Sequence, residues 1–467
     1  MFGVCVLNIE KVEEGGVDSK KRNEIETMTS IATTMNITTK PIQENENMIK
    51  NMVSLTTPLN IHNIYKQVLL MRENATTQNE ITETITNLTF LMNKSMEYET
   101  YELAGSIMEQ LGYLLLQENR RDEAIGILEQ LNYTHCLGRN IICYDNQINQ
   151  QQIATKNNNI VHVYQNIISN DSILNQLKMA FHQNSPYWTE HNYPCGYFSY
   201  SHPISTTTTT TTTTRNDDKK NHLIEQFANY IQDIISIKFP KVKTAKVVEW
   251  WAHRRPHCHS HQMHFDSDNE GIGTVRNPIC STVFYLTPEG IGGPTLVTTQ
   301  TLQSQTLAKN GWLIFPNENS LGVFDGKYLH GVIPGKGVTN VANRVSNKNG
   351  VDTSSSLPPR RITLMIAFWD SIEIRSNNAK PGASRMFPSP TTITSSDGDD
   401  GGKYTWPTLL KPVNQQLFTD MYEKYDVSKE EVPMIEVAGP IWEPLIDNNR
   451  NNKEGGSSGP MPRYDDC

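Results

Sequence analysis

The chain has 467 residues, room for two to four domains or for one large domain with appendages. Apolar residues make up 37% and mean hydropathy is −0.51, below the roughly 45–50% apolar share of an ordinary globular chain, so a good part of the sequence is not core. With 41 basic against 50 acidic residues the net charge is −9, which argues against a general binder of nucleic acid or of anionic membranes. No run of 18 apolar residues is present, so no transmembrane helix is expected, and the first ten residues lack the basic and apolar regions of a secretory signal. The seven cysteines contain no CxxC pair and read as free thiols of a reducing compartment, the cytoplasm with the nucleus left open.

Residues 1–55 are polar without a sustained apolar period and are expected to be disordered. Over about 60–135 the period is helical: Ile81, Ile85 and Leu88 form one stripe, Ile107, Leu111 and Leu114 a second, and Ala124, Ile127, Leu128 and Leu131 a third. The segment from Leu111 to Ile125, a Leu-Gly opening, a polar turn and a Glu-Ala-Ile start, resembles one tetratricopeptide hairpin. Such repeats need about three copies to bury a continuous face, so a helical hairpin packing on its neighbour is the plainer expectation for 56–145. A further helical stretch precedes the nine threonines at 206–214, and Leu223, Phe227, Ile231 and Ile234 mark a helix after them. The threonine run cannot build a core and reads as a loop insertion over 203–218.

From about 244 the pattern becomes short β-rich runs bounded by Gly, Pro, Asn and Asp: Val247–Trp251, Ser281–Leu286, Gly292–Thr298, Trp312–Phe315 and Arg361–Trp369. Their spacing predicts a sandwich or jelly roll, so the fold class is α+β with an N-terminal helical region. The last residues, 446–467, read as a disordered tail.

Five of the 13 histidines fall between His253 and Asp268. On a strand, residues two apart share a face, so His264 and Asp266 can reach one metal ion. A third ligand is offered by His330 in Phe324-Asp-Gly-Lys-Tyr-Leu-His-Gly-Val-Ile-Pro334. Two histidines and one carboxylate on one face of an octahedron leave three open positions, the pattern of non-haem Fe(II) oxygenases. An acidic co-substrate then calls for a buried cation; Arg361, with Thr363 two residues on, supplies a guanidinium fork and a hydroxyl.

Taken together, His-X-Asp, a distal His in a Leu-His-Gly-Val-X-Pro setting and Arg-X-Thr on a later strand resemble the Fe(II)/2-oxoglutarate-dependent dioxygenases. Ser281-Thr-Val-Phe-Tyr-Leu followed by Gly292-Gly-Pro-Thr-Leu-Val resembles the prolyl 4-hydroxylase-like branch. The likeness is strong over 245–372 and looser over 146–445, where it includes a helical approach at Ser185-Pro-Tyr-Trp and Tyr197-Phe-Ser-Tyr. It implies a double-stranded β-helix (jelly-roll or cupin-like) core, with His264, Asp266 and His330 as iron ligands. It also implies Arg361 and Thr363 at the 5-carboxylate of 2-oxoglutarate and Tyr285 against the same co-substrate. The activity implied is hydroxylation of a protein side chain or small metabolite with O2, giving succinate and CO2, and ascorbate is left open as an accessory reductant. Neither substrate nor oligomeric state follows from it.

Thirty-one positions separate His330 from Arg361, more than this family usually shows. The polar stretch 338–359 between them reads as an insertion, and it leaves Arg360 and Arg361 as rival anchors, with Arg344 a distant third. The other histidines, His253, His257, His259 and His261, could form a zinc site with Cys258, but the spacing fits no tetrahedral zinc motif and a pocket rim or solvated loop is preferred. Asp268 reads as a turn residue, Trp250, Trp251 and Trp369 as core, and Arg254-Arg255 as a solvated basic loop or a contact for an anionic substrate. A non-catalytic metal-binding scaffold, recruiting a partner through the N-terminal helices, is the competing functional class.

Overall fold

The computed structural model describes residues 6–8, 58–144, 160–190, 199–204, 222–268, 275–338, 359–372, 384–387, 404–426 and 434–445. The threonine run, the 340–358 stretch and the 446–467 tail, each read above as insertion or tail, lie outside the described residues. So does the N-terminal segment apart from Val6–Asn8, which is strand β1.

Four helices follow, α1 (Pro58–Asn74), α2 (Gln78–Glu97), α3 (Tyr101–Gln117) and α4 (Arg121–Leu128), each packed on the next. Helix α2 starts at a capping box in which the Thr77 side chain accepts from the Glu80 backbone and the Glu80 carboxylate reaches back to the Thr77 N–H. The apolar stripes of the sequence point inward, and Ile81, Ile107, Leu111, Ala124 and Leu128 are fully buried. In the α3–α4 hairpin Gly112 is required by proximity, because a Cβ there would lie 2.7 Å from Leu128 Cδ2. The helical period does not run to 135. Asn132 adopts φ 61°, which Asn tolerates better than most residues, and Tyr133–Leu137 turn away as strand β2. β2 pairs with β1 and with β15 (Trp442–Pro444) in a three-stranded sheet.

The remaining elements in chain order are α5 (Arg139–Ile142), β3 (Val161–Tyr164), α6 (Asp171–Ala180), α7 (Pro186–Glu190), β4 (Ser199–Pro203), α8 (Leu223–Lys238), β5 (Val247–Pro256), β6 (His261–His264), β7 (Cys280–Tyr285), β8 (Thr295–Thr298), β9 (Gly311–Ile314), β10 (Leu321–Phe324), β11 (His330–Val332), β12 (Arg360–Trp369), β13 (Ser384–Met386), α9 (Gln415–Lys424) and β14 (Met434–Glu436). Ser199-Tyr200, expected in a helical approach, belongs to β4.

Seven strands form one sheet in the order β13-β4-β5-β12-β7-β10-β3, antiparallel except for the β13–β4 edge. Five form a second, antiparallel sheet in the order β14-β9-β8-β11-β6. Side-chain alternation places the two sheets face to face. From the larger sheet Val163, Val283, Tyr285 and Phe324 point inward and meet Val297, Trp312 and Ile314 of the smaller one. On its other face the larger sheet sends Trp250, Phe284, Leu364, Ile366 and Phe368 against α6, α8 and α9. The outer face of the smaller sheet, through Leu296 and Leu313, packs with α1–α4. The architecture is therefore helices, sheet, sheet, helices, and both faces of β12 are covered. That explains its almost unbroken apolar run, interrupted at the start where Arg361 and Thr363 enter the interior.

Candidate functional site

His264 ends β6 and His330 opens β11, and the antiparallel register sets the two directly opposite each other. Their ring centroids are 4.4 Å apart. Asp266, two residues beyond His264, keeps the same side, with Oδ1 at 3.5 Å from His264 Nε2 and 3.6 Å from His330 Nε2. One ligand atom from each residue lies within 4.8 Å of the other two.

The hydrogen bonds around the three residues leave the right atoms facing inward. His264 Nδ1 lies 2.9 Å from the Gln262 carbonyl and His330 Nδ1 lies 3.0 Å from the Tyr328 carbonyl. A carbonyl only accepts, so each Nδ1 carries the proton and each Nε2 presents its lone pair to the centre. Ser281 Oγ donates to Asp266 Oδ2 at 2.6 Å, which leaves Oδ1 for the centre. His330 Nε2 is buried without a hydrogen-bond partner. Burial opposes charge on both Asp266 and His330, yet their mutual attraction outweighs it: the Asp266 carboxyl is held well below the usual range and the His330 pKa lies above its ordinary value. The carboxylate thus draws positive charge, a proton or a metal, to Nε2. Two oriented imidazoles, one oriented carboxylate and an orphaned buried nitrogen fit a divalent metal with supporting outer contacts.

Deeper in the same cavity lies a second polar group. Arg361 is 3% exposed and donates from Nη2 to Thr295 Oγ1 at 3.0 Å, and Thr295 Oγ1 lies 2.8 Å from the Tyr285 hydroxyl. The guanidinium carbon sits 5.3 Å from the Tyr285 ring centre. Burial pushes the Tyr285 phenol up, so it stays a neutral hydroxyl. Arg361 Nε and Thr363 Oγ1 are buried without partners, again an arrangement that an acidic ligand would complete. Gly292, at φ 78°, lets the turn before β8 lie on the arginine stem; a Cβ there would come within 2.3 Å of Arg361 Cδ. Arg360, one residue earlier, points to the opposite face, where its guanidinium meets Glu73 of α1 at 3.3 Å. Of the two rival arginines, only Arg361 enters the cavity that holds His264 and His330.

The other residues singled out by the sequence fall partly where it placed them and partly elsewhere. Arg254 and Arg255 belong to β5, not to a solvated loop. Arg254 lies over the Trp188 ring and donates to the Gln183 carbonyl, while Arg255 lines the cavity. Trp250 and Trp369 are core, whereas Trp251 forms the cavity wall and donates to His253 Nε2 at 3.1 Å. His257 is buried and structural: its Nδ1 accepts from the Gly292 N–H at 2.9 Å and its Nε2 lies 3.2 Å from the Lys336 carbonyl. His253 and His261 do line the cavity. His259 instead contacts Glu73 at 3.0 Å. Burial pushes the Cys258 thiol up to about 11, and among the described residues Cys258 does not join these histidines in a cluster that could hold a metal. Asp268 is 4% exposed and clasps Arg276 through both backbone and side chain, closing the β6–β7 connection.

Ser281 and Thr295 were given no role by the sequence reading. The signal for Ser281 was present: counting back by twos from Tyr285 along β7 passes through Val283 to Ser281 on the interior face. Thr295 shares the inward face of β8 with Val297.

No family model matches the chain, and no curated protein matches it. Among solved structures it is similar to a prolyl-4-hydroxylase from Pseudomonas putida, at 12% identity over 45% of this chain and 92% of that one, with a TM-score of 0.27. It is similar to AviO1 from Streptomyces viridochromogenes Tue57, at 10% identity over 48% and 92%, TM-score 0.27. A third is HygX from Streptomyces hygroscopicus with nickel and 2-oxoglutarate bound, at 8% identity over 51% and 96%, TM-score 0.26. The matching structures thus include a prolyl 4-hydroxylase and 2-oxoglutarate oxygenases, the group that the sequence motifs resemble.

Proposed function

We propose that the chain is an Fe(II)- and 2-oxoglutarate-dependent dioxygenase that hydroxylates an organic substrate. The observation that carries this reading is the convergence of His264, Asp266 and His330 in one cavity with Arg361, with His330 Nε2, Arg361 Nε and Thr363 Oγ1 all buried and unpaired. On this reading the two imidazole Nε2 atoms and Asp266 Oδ1 hold the iron. The Arg361 guanidinium, fixed by Thr295 and backed by the Tyr285 ring, binds the distal carboxylate of 2-oxoglutarate, and the Thr363 hydroxyl donates to it. Bound Fe(II) and 2-oxoglutarate supply the activation of O2, with release of succinate and CO2 and transfer of one oxygen atom to a substrate C–H bond.

The chain's own residues orient and exclude. Ser281 keeps Asp266 turned so that one oxygen faces the centre. The Gln262 and Tyr328 carbonyls hold both imidazoles in the ligating tautomer. The Val283, Met365 and Trp251 side chains give the cavity a dry wall. We read the alternation of β5–β12 between the two sheets as a double-stranded β-helix, with the catalytic unit spanning 146–445 and the helices of 56–145 bracing the sheet that carries both histidines.

Calorimetry tests this directly. The full chain loaded with Mn(II) in place of iron is expected to bind 2-oxoglutarate with micromolar affinity, and His330→Ala to abolish the metal dependence of that binding. Absence of 2-oxoglutarate binding to the metal-loaded wild type would sink the reading.

A further inference from the structure

We infer that Arg255 is a second, substrate-facing cation that holds an oxyanion group, carboxylate or phosphate, of the molecule to be hydroxylated; this rests on reading the site as an Fe(II)/2-oxoglutarate centre. Arg255 and Arg361 are direct cross-strand partners on β5 and β12, so their side chains leave adjacent strands on the same face. From there they diverge. Arg361 runs to the closed end of the cavity, toward Thr295 and Tyr285. Arg255 turns toward β6, where Nη1 donates to the Ser260 carbonyl at 3.3 Å and Nη2 lies 3.0 Å from His261 Nδ1.

That second direction is the open side of the site. The His264 side chain is 27% exposed, against 7% for Asp266 and 3% for His330. A molecule approaching the triad from solvent therefore passes His264, whose ring centre is 4.6 Å from that of His261, and so meets the Arg255–His261 pair. An arginine only donates, so His261 accepts at Nδ1 and keeps its own proton on Nε2. Accepting at Nδ1 and protonated at Nε2, this ring is a neutral donor, and Arg255 carries the charge.

Charge balance points the same way. Among the described residues the cavity walls carry two guanidiniums and no carboxylate other than Asp266 of the triad beside them. With Fe(II), Asp266, Arg361 and dianionic 2-oxoglutarate in place the formal charges cancel, and that of Arg255 stands alone. Among the described residues Arg255 is bonded to the Ser260 carbonyl and His261 Nδ1 and to no carboxylate, and its Nε is buried with no acceptor. A buried guanidinium N–H without an acceptor is costly, and an oxyanion delivered by the substrate satisfies both the charge and the hydrogen bond.

The test uses the full chain loaded with Zn(II) and saturated with 2-oxoglutarate, titrated by calorimetry at low ionic strength with acetate and, separately, with methyl phosphate. Saturable binding of at least one probe is expected, and which one binds distinguishes a carboxylate from a phosphate substrate. Arg255→Gln should weaken that binding about tenfold while 2-oxoglutarate affinity changes less than twofold. Arg255→Lys, which keeps the charge and folds with less disturbance, should retain most of it; melting temperatures of both variants report folding. Equal probe binding by wild type and Arg255→Gln, an adventitious anion only, would overturn the assignment, as would no saturable binding to wild type. Loss of 2-oxoglutarate affinity in Arg255→Gln as large as in Arg361→Gln would also overturn it, by placing Arg255 in the co-substrate site. Failure of the metal-loaded wild type to bind 2-oxoglutarate would remove the underlying reading, and this inference with it.

Discussion

The interior of the sandwich and the helical layer outside it are both well packed, and both contain buried polar atoms without partners. In the helical layer they include Ser95 Oγ and Asn87 Nδ2 on α2 and Arg72 Nη2 on α1. In the sandwich, His330 Nε2, Arg361 Nε, Thr363 Oγ1 and Arg255 Nε belong to residues that line one cavity beside Asp266. An isolated orphan is a local cost of folding; several aimed at one space mark a place where a ligand completes the structure. Convergence, not burial, separates the site from the scaffold.

Changes on the two sides of that comparison should therefore have separable effects. The largest is expected from Asp266→Ala, which removes one of the three proposed ligands and should lower Fe(II) or Mn(II) affinity by at least about 100-fold while the melting temperature holds. Retained metal affinity, read by competition with a chelating dye, would break the comparison at its centre. Next, Arg361→Gln should weaken 2-oxoglutarate by about 100-fold, because a charge-assisted contact is lost and a buried partner left unpaired, whereas Arg360→Gln should change it less than twofold. Similar losses in both would mean that facing the cavity is not what matters.

On the scaffold side, Leu111→Ala opens a cavity at a fully buried position of α3 and should cost about 3 kcal/mol in denaturant unfolding, with metal affinity of the folded protein unchanged. The smallest effect concerns Glu249 on β5, whose pKa burial raises to about 7. The folded state then holds a proton that the unfolded chain releases near pH 4.5, so this contribution is full below pH 4.5 and is lost as pH rises through about 7. Glu249→Gln should accordingly gain stability relative to wild type on going from pH 4.5 to pH 8, by less than the about 3 kcal/mol that the full shift implies, because the residue is only half-buried. A difference that does not vary with pH would show that Glu249 titrates normally.

Much of this was legible before any coordinates. The helical stripes, the main strands of 247–369 and the His-X-Asp pair follow from periods of 3.6 and 2, which are local properties of the chain. Some short strands were not, among them β3 and β10, and β2 continued an apolar stretch that looked helical until Asn132 broke it. The choice between Arg360 and Arg361 had support from strand alternation, but adjacent arginines at the edge of an insertion give two competing phases. The histidines between His253 and His261 were hardest. Their chemistry is identical, and only their neighbours make His257 a structural tie, His259 a half-buried contact to Glu73 and His261 a cavity donor.

By itself the sequence determined which residues have metal-binding and anion-binding chemistry, and which of them share a face two residues apart. Only the tertiary structure decided that His330, more than sixty positions from His264, lies opposite it. Only the tertiary structure turned Arg255 to the open side while sending Arg361 to the closed end. The reason is physical. Side-chain chemistry and strand alternation are encoded within a few residues, whereas cross-strand register and burial are properties of the whole packed sandwich, set when its sheets close on one another and on the helices outside.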